Sequence, residues 1–142
     1  KKKKMTSHQF ADVTSRLVPL HDGMESWKKH FATADLVIEA VYEEISVKHK
    51  VLKEMEAVLA PHAIFASNTS AIPIGKIAEG ASRPQNVIGM HYFSPVPKMP
   101  LLEIIPHAGT APEVAAAAMD VGTKQGKTAI FVKDVPGFFV NR

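Results

Sequence analysis

The sequence predicts an α/β domain built on a doubly wound, mostly parallel sheet. Three observations predict it. From Ala34 to Lys133, strand-like apolar runs alternate with segments of helical periodicity. The first run, "ADLVIEAV" at 34–41, is almost continuously apolar, as a strand covered on both faces must be. The polar residues cluster where such runs end, which is where open α/β sheets place their ligands.

The elements follow in chain order. Residues 1–33 carry the weakest pattern, with Val13 to Leu20 read as a short strand and Ser26 to Phe31 as a turn or helical piece. After the strand at 34–41, Val47, Val51, Leu52, Met55, Val58 and Leu59 recur at helical spacing, and Pro61 stops the helix. "AIFASN" (63–68) is a second strand. Ile72 to Glu79 reads as a short helix, with Ser70 in the capping position near its start and Gly80 at its end. "VIGMHYF" (87–93) and "LLEIIP" (101–106) are the third and fourth strands, Glu113 to Lys124 is a helix closed by Gly126, and "KTAIFVK" (127–133) is the last strand. The Pro-rich link between the third and fourth strands is too short to hold a crossover helix, so those two are expected to be antiparallel neighbours.

Composition narrows the function. Of 142 residues, 46% are hydrophobic and 22% charged, which is a globular balance long enough for a real core. No apolar run approaches the ~18 residues of a membrane span, so no transmembrane segment is expected. The net charge of +3 leans on Lys1 to Lys4, and no nucleic-acid partner is expected from it. The absence of cysteine excludes disulfides, thiolate catalysis and zinc–sulfur sites. KKKKMTSHQF has no apolar signal core, so no targeting signal is visible. His8, His21, His30, His49, His62 and His107 show no ligand spacing, so they are read as surface residues and no metal site is expected.

The strand ends supply the chemistry. The end of the first gives Glu39, Glu43 and Glu44, that of the second Asn68, Thr69 and Ser70, and that of the third His91 and Ser94. Ser70 with His91 is a poor hydrolase pair, because no G-x-S-x-G elbow surrounds the serine. Glu103 is the informative residue. A carboxylate inside an apolar strand is costly unless paired. If strand 101–106 runs back beside strand 87–93, Glu103 returns toward His91 and fixes its tautomer, which is the arrangement of a general base with its orienting partner. Pro95, Pro97 and Pro100 stiffen the connection that holds the pair in register.

"ADLVIEAVYEE", "FASNTSAIPI", "GMHYFSPVPKMPLLEII" and "KDVPGFFVNR" resemble the L-3-hydroxyacyl-CoA dehydrogenase family, and the wording of the middle two is most similar to its mitochondrial members in fatty-acid β-oxidation. The resemblance implies a Rossmann-type NAD-binding domain, NAD as cofactor, a 3-hydroxyacyl-CoA substrate oxidised to the 3-ketoacyl-CoA, an oligomeric parent enzyme and a mitochondrial location. Carried over by motif, His91 matches the catalytic base and Glu103 its partner. Ser70 matches a residue touching substrate and nicotinamide, and Asn141 a substrate-binding asparagine. Val41, Glu43 and Lys48 match positions lining the cofactor. Ser94 stands where many members have asparagine, a contact to cofactor and substrate that a hydroxyl makes with shorter reach. The resemblance also divides the chain into a partial NAD-binding domain, 1–135, and the start of a link to a helical second domain, 136–142. None of the eight glycines has the G-x-G-x-x-G spacing that opens such a sheet, so the first strand–helix unit is expected to lie before residue 1. The competing expectation is a non-catalytic binding module derived from such an enzyme.

Overall fold

In the computed structural model, residues 5–21 and 27–140 are described. Helix α1 (Ser7–Ser15) starts at a capping box, in which the Thr6 hydroxyl accepts the Gln9 N–H at 3.2 Å and the Gln9 side chain accepts the Thr6 N–H at 3.0 Å. The strand expected over Val13 to Leu20 is therefore not formed. Val13 lies in α1, the Thr14 hydroxyl bonds back to the Phe10 carbonyl, and among the described residues no strand pairs with those that follow. Helix α2 (Trp27–Phe31) covers the helical part of the next expectation, while Ser26 lies outside the described residues.

From there the order is β1 (Leu36–Glu39), α3 (Ile45–Glu56), β2 (Ile64–Ser67), α4 (Ile74–Ala78), β3 (Val87–Tyr92), β4 (Leu101–Ile105), α5 (Pro112–Lys124) and β5 (Thr128–Phe131). The five strands line up in chain order, with every pair parallel except β3 and β4, which are antiparallel. The proline-rich link thus does what its length demands.

Strand alternation sorts the core into two layers. Val37, Phe65, Val87 and Ile105 face one way and meet Leu52 of α3 and Ile74 and Ile77 of α4. Ile88, Met90, Leu102 and Ile104 face the other way and meet Val114 and Ala118 of α5. By the same alternation Glu39, Ser67, His91 and Glu103 fall on the α3–α4 side, at the C-terminal ends of the parallel strands or opposite them. β1 is an edge strand, and Ile38, Val41 and Tyr42 on and after it are exposed.

Two local expectations change. Ser70 does not cap α4. The Thr69 hydroxyl accepts the Ile72 N–H at 2.9 Å, and Pro73 holds the helix back to Ile74. The first N–H groups of α4, on Ile74 and Gly75, are taken by the Asp134 carboxylate at 2.6 and 2.8 Å, a cap from sixty residues away along the chain. His49 and His107 are half-buried rather than free on the surface. His49 Nε2 bonds the Lys76 carbonyl at 2.9 Å and its ring fills the space beside Gly80, where a Cβ would come within 2.5 Å of it. His107 Nε2 bonds the Pro84 carbonyl at 2.9 Å. Gly126 closes α5 as expected, at φ 77°.

Candidate active site

The register of β3 on β4 places His91 directly opposite Glu103. Their side chains meet, His91 Nδ1 to Glu103 Oε2 at 2.7 Å, with the imidazole 4% and the carboxylate 0% exposed. A carboxylate only accepts, so Nδ1 carries the proton of this bond. Glu103 Oε1 accepts two further bonds, from the Phe139 and Val140 N–H groups at 3.1 Å each. The imidazole lies between aromatic rings, Phe93 at 4.5 Å and Phe138 at 5.7 Å between centroids. Nε2 has no partner among the described residues. Since no buried side-chain nitrogen or oxygen among the described residues lacks one, Nε2 opens to the surface. The ring thus offers one bare nitrogen to an incoming molecule while its other side is fixed.

A second polar network ties the ends of β1 and β2 to the start of α3. Glu39 is buried and accepts three bonds: the Val41 N–H at 2.7 Å, Lys48 Nζ at 2.8 Å and the Ser67 hydroxyl at 2.7 Å. Lys48, also buried, reaches Glu43 Oε2 at 3.2 Å. Glu43 Oε1 accepts from the Thr69 hydroxyl and from the Ser70 and Ala71 N–H groups at 3.2 and 3.3 Å. Burial pushes the Glu43 carboxyl up, but the hydrogen bonds from Thr69 and Lys48, the lysine's charge and the Ser70 N–H outweigh it. The carboxyl therefore sits below its ordinary 4.5.

Two expectations follow from this network. Lys48→Met leaves Glu39 charged and buried without its cation, which costs about 3–5 kcal/mol. Denaturant unfolding of the two chains measures it, and a loss below about 1 kcal/mol would mean that Glu39 finds other solvation. A depressed folded pKa favours the charged form, so the Glu43 contribution is complete above about 4.5 and is lost as pH falls through the lower folded value. Its side chain is 41% exposed, so solvent screens the effect to about 1 kcal/mol or less. Glu43→Gln should thus destabilise near neutral pH, with the deficit shrinking below about pH 4.5. Equal deficits at both pH values would show that the charge is not what the fold favours.

The site residues expected from sequence separate into groups. His91 and Glu103 are in contact, and Glu43 and Lys48 are linked one to the other, with the lysine amine inside rather than presented to solvent. Val41 and Ser70 follow the adjacent ends of β1 and β2 and are exposed, as is Ser94 in the link after β3. Asn141 lies outside the described residues. The cap that Asp134 puts on α4, the turn held by Thr69 and the burial of Glu39 against Lys48 were not foreseen. For Glu39 a signal existed, a carboxylate inside "DLVIEAV", the same argument that singled out Glu103.

A mostly parallel five-stranded sheet with helices on both faces, carrying a buried histidine–carboxylate pair across β3 and β4, defines a Rossmann-like α/β domain. Residues 1–135 match the family described as 3-hydroxyacyl-CoA dehydrogenase, NAD binding domain, and the chain belongs to that family. It is 58% identical over 109 residues to the fatty acid oxidation complex subunit alpha of Shewanella oneidensis, a match covering 77% of this chain and 16% of that protein. Among solved structures, the (S)-3-hydroxybutyryl-CoA dehydrogenase PaaH1 of Ralstonia eutropha is 37% identical with a TM-score of 0.89, covering 97% of this chain and 47% of that one. The 3-hydroxybutyryl-CoA dehydrogenase of Escherichia coli is 33% identical with a TM-score of 0.87, covering 96% and 28%. The chain thus spans a small part of the curated relatives it matches. The mitochondrial location implied by the motif wording is corrected by these matches: the relatives are bacterial, and bacteria have no mitochondrion.

Proposed function

We propose that this domain takes part in the NAD-dependent oxidation of an L-3-hydroxyacyl-CoA to the 3-ketoacyl-CoA in fatty-acid β-oxidation. The observation that carries the reading is the His91–Glu103 pair with Nε2 bare. His91 Nε2 takes the proton of the substrate 3-hydroxyl, and Glu103 holds the ring in the tautomer that leaves Nε2 free and stabilises the imidazolium that results. NAD held at the strand ends would supply the acceptor for the C3 hydride.

The residues present fit the nicotinamide end of that cofactor. Val41 offers an exposed apolar wall and Ser70 an exposed hydroxyl at neighbouring strand ends, while Glu43 holds the Ser70 loop through backbone N–H bonds. Lys48 acts from behind by fixing Glu39 and Glu43. Ser70, Ser94 and Asn141 are assigned to the substrate, and Ser94 also to the cofactor. Residues 136–142 are assigned as the start of the link to a second, helical domain, in an enzyme that works as an oligomer.

The competing reading is a non-catalytic binding module that keeps this sheet. The test that separates the readings is a chimera, in which the 109 residues of this chain that match the Shewanella oneidensis subunit replace their counterparts there. NADH formation from 3-hydroxybutyryl-CoA by the chimera supports the first reading. A soluble, NAD-binding chimera with no turnover would support the second.

A further inference from the structure

We propose that Phe138 is a positioning residue for the His91–Glu103 pair, holding a backbone turn whose N–H groups grip the carboxylate. Glu103 has no contact with solvent, so each of its oxygens needs a partner inside the protein. Oε2 is taken by His91, and Oε1 has the Phe139 and Val140 N–H groups, at 3.1 Å each. Consecutive N–H groups on a left-handed turn form a concave anion seat, and here the anion is a side chain of the same domain.

The turn is made at Gly137, φ 79°, and Phe138, φ 52°. The first is ordinary for glycine. The second is costly for an aromatic residue and persists only where the surroundings enforce it. They do so at three points. Phe138 is 2% exposed and belongs to the same core as Ile74, Ile77 and Ile105. The Phe138 N–H bonds the Val135 carbonyl at 2.9 Å. Just upstream, Asp134 is locked onto the start of α4. The Phe138 ring lies 5.7 Å from the imidazole, so Phe138 constrains the pair twice, through its ring on His91 and through its backbone on Glu103.

Without the turn, Oε1 loses both donors, the carboxylate is free to rotate about its side-chain torsions, and the imidazole loses its single orientation. The catalytic meaning of this rests on the reading of His91 as the base; the positional claim does not.

The test uses the nitrogen-15-labelled 142-residue chain, with the His91 ring nitrogens observed by NMR at a pH where the ring is neutral. Wild type should show one tautomer, protonated at Nδ1 and bare at Nε2. Two variants are compared. Replacing the Val140 amide by an ester removes one N–H while keeping the backbone shape, and Phe138→Leu removes the ring that enforces the turn. Both should lose the single-tautomer pattern. In the chimera, Phe138→Leu should lower kcat by about 10²-fold with KM little changed, as a misplaced catalytic group does. An ester variant that keeps the wild-type ring pattern overturns the proposal, as does a wild type that is already a mixture. If the pattern breaks while His91→Ala leaves turnover intact, the positioning stands and the base assignment fails.

Discussion

Replacing His91 by alanine in the chimera is expected to lower kcat by ~10²–10⁴-fold, the usual worth of a positioned general base. NAD affinity should change little, because His91 is 3% exposed and opens to the surface through a single ring nitrogen. The loss should appear equally in kcat and in kcat/KM, since the proton is shared only in the transition state. Stopped-flow NADH formation with saturating 3-hydroxybutyryl-CoA measures it. A rate within about threefold of the parent would remove His91 from the reaction and leave the pair as a structural bond.

That this pair could be read before any coordinates follows from two constraints of different kinds. The link from Phe93 to Pro100 is too short for a crossover, which forces β4 to run back along β3. An acid in the middle of an apolar strand then needs a partner within reach, and the returning strand carries it past one histidine. Topology and electrostatic cost converge on one answer, so the reading needed no precise register. The alternation of strands and helices was legible for the same reason, because period is a local property of sequence.

What the sequence hid was long-range. Lys48 was placed at the cofactor by motif alone, since helical period says nothing of Glu39 waiting nine residues earlier on the strand beneath. Asp134 looks like an ordinary loop acid, yet it caps a helix sixty residues back, and no local pattern encodes that distance. Around Ser70 the choice between two adjacent hydroxyls was decided by Glu43, whose carboxylate engages Thr69 and leaves the Ser70 side chain outside. The strand expected at Val13 to Leu20 failed for the opposite reason. β-branched composition there is outweighed by a capping box that is local and readable, S/T-x-x-Q at Thr6 to Gln9.

The chain of 142 residues on its own is expected to bind NAD no more tightly than about millimolar and to leave 3-hydroxyacyl-CoA unoxidised. A diphosphate is normally held by a run of backbone N–H groups at a glycine-rich turn opening onto a helix N-terminus, and no such spacing occurs among its eight glycines. The carboxylates at the end of β1 offer no substitute grip. Glu39 is sealed against Lys48, Ser67 and the Val41 N–H, and Glu43 is engaged by Lys48, Thr69 and the Ser70 loop. Of the proposed cofactor contacts, only those to the nicotinamide half, through Val41, Ser70 and Ser94, would remain. Forgoing several charge-assisted bonds at ~1.5–3 kcal/mol each separates a micromolar site from one at millimolar or weaker. The open edge of β1, with Ile38 and Val41 exposed beside it, adds a tendency to pair with other chains, so the measurement belongs at low protein concentration. Calorimetric titration with NAD, run on the chain and on the chimera side by side, decides the matter. Micromolar binding by the chain alone would show that Val41, Glu43 and Ser70 hold far more of the cofactor than its nicotinamide end.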